Sequence, residues 1–251
     1  MSLIVDLNAD LGEGAGQDSE LFELITSANI ACGFHAGDPI SVLKSIRQAN
    51  EQNVSIGAHP SLMDRENFGR TEIEIEPAHV FAQVSYQLGA FNALATAVGA
   101  RVNHVKPHGA LYNMAVKNEQ LSEAIVQAML VVDPYMFLFA PSNSALERAA
   151  KAAEIRVVSE VFADRNYLSD GSLVPRSRGD ALLKDPNEAA NRVVRMLREN
   201  KVMSIEGHDV DVRAETICVH GDNPGAVEFA RELRSQLELE GVRISPPDPG
   251  L

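Results

Sequence analysis

No run of apolar residues approaches the roughly 18 needed to cross a membrane, and no basic leader followed by an apolar stretch precedes Leu3, Ile4 and Val5. The expectation is therefore a cytoplasmic chain. Cysteine is scarce: Cys32 and Cys218 are the only two, and in a reducing compartment both should be free thiols. Positive charge is also in deficit, with 22 Lys and Arg against 35 Asp and Glu and a net charge of -13. That surface repels nucleic-acid backbones and anionic membranes, which leaves a small molecule or another protein as the partner. An anionic substrate would then need a local gathering of Arg, Lys or helix N-termini. There is no low-complexity tract, linker or exact repeat. With 251 residues, 45% of them hydrophobic, the chain can bury the core of one large α/β domain.

What is present is an alternation of short apolar runs with helical segments, the pattern of repeated βαβ units and a parallel sheet. Seven runs have strand length: 4–8, 27–32, 54–58, 102–106, 136–140, 156–162 and 216–220. Their apolar character is nearly continuous, as expected for strands covered on both faces. Helix starts are marked by Asp38-Pro39, Glu76-Pro77, Asp185-Pro186 and Asn223-Pro224, because an Asp or Asn caps exposed N–H groups and Pro at the first helical position loses no hydrogen bond. A further helix fits 144–153. Segments 60–76 and 166–184 exceed a minimal βα connection and read as candidate active-site lids. Segment 200–213 has the alternation of a small hairpin, and the Pro-rich residues 245–251 read as an extended tail. The expected fold is a single α/β barrel over residues 1–251, with its site where the strands end.

Each strand delivers polar residues to that pole. The first ends in Asn8, Asp10 and Glu13, the second in Cys32 and His35, the third in His59, and the fourth in Lys106 and His108. The sixth ends in Glu160, Asp164 and Arg165, and the seventh in His220 and Asp222. One such histidine is more often structural than catalytic, but five of the seven, His35, His59, His104, His108 and His220, lie within or just beyond a strand. His104 is read as structural, and His79 and His208 lie elsewhere. Glycines beside these residues, Gly57 and Gly109 among them, suit tight turns or close approach to a ligand. Asp10, His35 and His59 would suit a divalent metal. No His-x-x-x-His or Cys-x-x-Cys pair supports that reading, so it rests on shared location alone. Arg165, Arg176 and Arg178 flank the second long segment and are candidates for binding a carboxylate or phosphate.

Seven segments together resemble the lactam-utilisation (LamB/YcsF) family that supplies the A component of bacterial ATP-dependent 5-oxoprolinase. They are Asp6-Leu-Asn-Ala-Asp-Leu-Gly-Glu-Gly14, Ala28-Asn-Ile-Ala-Cys-Gly-Phe-His-Ala-Gly-Asp-Pro39, Ile56-Gly-Ala-His-Pro-Ser61 with Phe68-Gly-Arg70, Val105-Lys-Pro-His-Gly-Ala-Leu-Tyr-Asn113, Phe162-Ala-Asp-Arg165, Leu173-Val-Pro-Arg-Ser177 and Cys218-Val-His-Gly-Asp222. Arg178-Gly179-Asp180 departs from the family pattern after Ser177. The resemblance implies a distorted (β/α)7 barrel like that of polysaccharide deacetylases, and ATP-driven opening of 5-oxo-L-proline to L-glutamate together with 5-oxoprolinase subunits B and C. For that chemistry the candidates are Asp10 or His59 as the base for water, His108 or His220 as the proton donor to the leaving nitrogen, Lys106 as a stabiliser of developing negative charge, and Arg165 or Arg176 as the partner of the substrate carboxylate. Asn8, Glu13, His35, Glu160, Asp164 and Asp222 complete the expected substrate-facing set. No Gly-x-x-x-x-Gly-Lys-Ser/Thr loop marks an ATP site, so phosphorylation can fall to a partner subunit. The rival readings are a stand-alone metal-dependent deacetylase or amidohydrolase, and a non-catalytic subunit that delivers lactam.

Overall fold

The computed structural model describes residues 3–219 and 225–248. In chain order its first elements are β1 (Ile4–Leu11), α1 (Asp18–Phe22), β2 (Ser27–Ala31), α2 (Pro39–Glu51), β3 (Ser55–His59), α3 (Pro77–Ala97), β4 (Val102–Val105) and α4 (Gly109–Ala115). Then follow α5 (Glu119–Val132), β5 (Phe137–Ala140), α6 (Ala145–Ala152), β6 (Val157–Phe162), α7 (Pro186–Glu199), β7 (Lys201–Met203), β8 (Asp209–Asp211), β9 (Thr216–Val219), α8 (Ala226–Leu239) and β10 (Arg243–Ile244).

Strands β1 to β6 and β9 run parallel and in that order, and β9 pairs back onto β1 with Asp6 opposite Thr216, closing a seven-stranded barrel with helices around it. All seven expected strands are present. β10 adds two residues alongside the start of β1, with Ile4 opposite Arg243. β7 and β8 form the antiparallel hairpin that segment 200–213 suggested, with Val202 opposite Val210. No described helix is long and apolar enough to cross a membrane.

The caps act as their chemistry predicts. Asp38 accepts hydrogen bonds from the backbone N–H of Ile40 and Ser41, at 2.8 and 2.9 Å, and Ser41 reciprocates, so α2 opens on a capping box with Pro39 in its first turn. Asp185 accepts from the Asn187 N–H at 2.9 Å, and Ser144 from that of Glu147 at 3.0 Å. Glu76 makes no side-chain cap, so at α3 the fixed φ of Pro77 acts alone. The fourth expected cap, Asn223-Pro224, lies outside the described residues. Helices α4 and α5 lack a Pro signal, and α5 is capped instead by Asn118.

The core has two shells of opposite character. Between strands and helices lie fully buried apolar side chains such as Leu7, Ile30, Ile46, Leu88 and Ile125, each worth about 1.5–3 kcal/mol of burial. Inside the barrel the lining contributed by β1 is polar. β1 alternates, with Val5, Leu7, Ala9 and Leu11 in the apolar cluster and Asp6, Asn8 and Asp10 bonded to side chains of other strands. The expectation of near-continuous apolar strands fails for β1, whose inward side chains join a hydrogen-bonded network, and holds for β5, where Phe137, Leu138, Phe139 and Ala140 are all buried.

Candidate active site

The carboxyl ends of β1 to β4 bring three imidazoles and two carboxylates together. Glu13, three residues beyond Asp10, sits on the turn after β1, His35 on the loop after β2, His59 at the end of β3, and His108 at the N-cap of α4. Glu13 Oε1 lies 3.0 Å from His35 Nε2, 3.3 Å from His108 Nδ1 and 3.8 Å from His59 Nε2. His59 Nε2 and His108 Nδ1 are 3.0 Å apart, and Asp10 Oδ2 is 3.4 Å from His59 Nε2. The His35 and His108 rings stack in parallel with centroids 3.8 Å apart. All three histidines are buried.

Backbone carbonyls orient two of these rings. His59 Nδ1 donates to the carbonyl of Lys106 at 2.6 Å, and His108 Nε2 donates to the carbonyl of Phe68 at 2.9 Å. A carbonyl only accepts, so each of these nitrogens carries the ring's proton. In the neutral rings, His59 Nε2 and His108 Nδ1 therefore present lone pairs to each other and to the Glu13 carboxylate. Segment 60–76 supplies this support. Phe68 and Gly69 both have positive φ, 57° and 66°, and a β-carbon on Gly69 would lie 2.9 Å from His35 Cβ and 3.0 Å from His108 Cδ2. Only glycine lets the segment pass this close. The Gly69 carbonyl accepts from the Ala110 N–H at 2.9 Å, and Arg65 donates to the carbonyls of Gly33 and Gly37. The segment is thereby tied to the loops after β2 and β4.

Charge in this region is strongly perturbed. Burial alone would raise the Glu13 carboxyl, but its close contacts with His108 and His35, at 3.3 and 3.0 Å, outweigh it and hold the group below the usual carboxylate range. Burial disfavours a charged His59, yet Asp10 and Glu13 overcome that and raise its pKa. His35 is pushed down to about 4, chiefly by burial. Beneath them Lys106, 3% exposed, donates to Asp10 Oδ1 at 2.9 Å, Asn8 Oδ1 at 3.3 Å and Cys218 Sγ at 3.0 Å, and pairs with Glu160 Oε1 at 3.0 Å. Burial would discharge this amine, but Asp10, Cys218 and Glu160 raise its pKa well above the ordinary value. Its three protons meet four neighbours, so Lys106 is anchored toward Asp10.

The remaining expected residues distribute as follows. Asn8 and Glu160 belong to the Lys106 network. Asp164 and Arg165 are buried after β6, and Arg165 donates to the Val174 carbonyl at 2.6 Å. Arg176 is exposed on segment 166–184, close enough to Arg165 to lower its pKa together with the larger effect of burial. Arg178 pairs with Asp180 at 2.7 Å. His220 and Asp222 lie outside the described residues. Both cysteines are free, and burial pushes the Cys32 thiol up to about 12 and that of Cys218 well above its ordinary value, so neither is a nucleophile at neutral pH. His104 is buried inside the barrel, stacks on Phe139 with centroids 4.0 Å apart and bonds Asn29 Oδ1 at 2.8 Å. A β-carbon on Gly57 would fall 2.0 Å from its Nε2, so this glycine makes room for a side chain rather than a ligand. His79 and His208 are exposed.

Two participants escaped the sequence reading. Tyr112 donates to Glu160 Oε2 at 2.7 Å. It lies four positions after His108, one helical turn along α4, a spacing that would have revealed it. Asp6 closes the bottom of the same interior, and its even spacing from Asn8 and Asp10 is the signal.

Residues 5–250 match the LamB/YcsF family. The chain belongs to that family. A lactam utilization protein from Thermus thermophilus is 44% identical, with a TM-score of 0.90 over 97% of this chain and 99% of that one. The barrel is also shared with a family 4 carbohydrate esterase from Streptomyces lividans, at 10% identity and TM-score 0.54 over 99% and 94% of the two chains. A polysaccharide deacetylase from Bacillus cereus is similar, at 10% identity and TM-score 0.52 over 99% and 93%. The last two speak for the LamB/YcsF fold alone.

Proposed function

We propose that this LamB/YcsF chain is the A component of an ATP-dependent 5-oxoprolinase, which opens 5-oxo-L-proline to L-glutamate as ATP is hydrolysed to ADP and phosphate. The observation that carries the reading is the family match over residues 5–250, with a 44% identical relative that is named for lactam utilization. The polar strand-end cluster is chemically suited to it. A five-membered lactam is a resonance-stabilised amide, and phosphorylating its oxygen makes the ring carbon open to attack by water.

In this reading Asp10 takes the proton from the attacking water. Lys106 holds one of its oxygens at 2.9 Å while the other faces the histidine cluster, which keeps the carboxylate oriented. His59 is the alternative base, and His108 or His220 returns a proton to the leaving nitrogen. Lys106 supplies positive charge against the oxyanion, and Arg165 or Arg176 pairs with the substrate carboxylate. In this reading ATP is spent by the assembly of this chain with subunits B and C.

The test is glutamate release from 5-oxoproline by the purified chain, alone and with candidate subunits B and C, with and without ATP. Release only with partners and ATP supports the reading. Release by the chain alone, indifferent to ATP, would make it a stand-alone amidohydrolase. If Asp10→Asn in the assembled complex weakens lactam binding and leaves the chemical step unchanged, the chain is a delivery subunit instead.

A further inference from the structure

We propose that Glu13, His35, His59 and His108 form a binding site for one divalent transition-metal ion of the Zn2+ class. The first ground is convergence. Their four ligand atoms lie within 4.8 Å of one another, and four of the separations between them are 3.0, 3.0, 3.3 and 3.8 Å. An ion with bonds of about 2.0–2.1 Å to imidazole nitrogen and carboxylate oxygen places tetrahedral ligands about 3.3–3.4 Å apart. The cluster already stands close to that spacing.

The second ground is the orientation of the lone pairs. The carbonyls of Lys106 and Phe68 hold the protons of His59 on Nδ1 and of His108 on Nε2. Two lone pairs then oppose each other at 3.0 Å with the Glu13 carboxylate oxygen beside both. In a buried site this is repulsive until a positive charge enters between them. The same carbonyl bonds on the far ring nitrogens are the support that orients metal-bound histidines. Three imidazoles and one carboxylate suit Zn2+, Co2+ or Fe2+, whereas Mg2+ and Ca2+ prefer all-oxygen surroundings.

The site shares His35 and His59 with the set expected from sequence, and Glu13 and His108 take the remaining places. Asp10 borders it with Oδ2 3.4 Å from His59 Nε2. With an ion bound, His59 and His108 would be ligands, and of the acid–base candidates named above Asp10 and His220 would remain. The site is defined by geometry alone and stands apart from the lactam reading.

The competing source of charge is a proton on His59, and metal titration separates the two. The full chain, stripped with a chelator and dialysed, is titrated with Zn2+ by calorimetry and with Co2+ by visible absorption, without lactam, ATP or partners. One equivalent per chain and the intense visible bands of tetrahedral Co2+ are expected. Glu13→Gln and His108→Ala should each weaken binding at least tenfold, while His79→Ala, on the exposed face of α3, leaves it unchanged. Circular dichroism of each variant checks the fold, and His35→Asn serves if His108→Ala does not fold. Binding below half an equivalent, or binding that survives both Glu13→Gln and the histidine variant, overturns the proposal. A failed glutamate assay leaves this result untouched, so the two readings fail separately.

Discussion

The two ends of the barrel interior are built from the same kinds of groups and behave differently. At the lower end Asp6 accepts hydrogen bonds from Thr26 at 2.7 Å, Ser27 at 2.8 Å and Thr216 at 2.5 Å, and Thr216 in turn accepts from Asn8. Every bond there has a donor and an acceptor. At the upper end His59 Nε2 and His108 Nδ1, which carry lone pairs in the neutral rings, face each other and a carboxylate. Between the two lies Lys106, a buried cation shared by Asp10 and Glu160. A polar network closed on itself is structural, whereas one whose lone pairs face inward without a donor is built to receive something.

Removing the charge at the junction should have the largest effect. Lys106→Met leaves Asp10 and Glu160 buried without their cation, and should cost about 3–5 kcal/mol of stability by denaturant titration. A loss below about 1 kcal/mol would mean that the two ends are not coupled through this residue. Next, Asp10→Asn should lower turnover of the assembled enzyme by roughly 10^2- to 10^4-fold with an unchanged circular dichroism spectrum. A near-normal rate rules Asp10 out as the base.

The lower end should respond to pH. Burial, only partly offset by the three hydroxyl bonds, raises the Asp6 carboxyl from 3.8 to about 6. A carboxyl with a raised folded pKa favours the folded state below the unfolded value, and that contribution is lost as pH rises through the folded value. Its stability contribution should be complete below about pH 3.8 and fall by about 3 kcal/mol as pH rises through 6. Unfolding free energies of the wild type and Asp6→Asn, compared at pH 3 and pH 7, should diverge by this amount in favour of the variant at the higher pH. A constant difference would show that Asp6 is not a buried ionisable group. The smallest effect expected is that of Tyr112→Phe, which removes one hydrogen bond to Glu160 and should cost about 1.5 kcal/mol.

Much of this was legible in the chain itself. The seven strands follow from short apolar runs, and α2 and α7 begin at Asp38-Pro39 and Asp185-Pro186 because those pairs satisfy helix termini through neighbours two or three residues away. The hairpin of β7 and β8 is equally local. That polar residues gather at one pole also followed, because parallel strands all end on the same side.

What the sequence left open depends on contacts between distant residues. Nothing near His104 in the chain says that it stacks on Phe139 over Gly57 while His108, four residues later, meets Glu13. Likewise the sequence offered Asp10 as the metal carboxylate, and only barrel closure turns Asp10 toward Lys106 and brings Glu13 to the three imidazoles instead. Periodicity, caps and turns are set by forces acting within a few residues, and these determined the elements and the end of the barrel that carries the chemistry. Which side chains touch was decided by the register of β1 to β4 and by the path of segment 60–76, because a bond between residues 13, 35, 59 and 108 exists only once the closed barrel holds their backbones within side-chain reach.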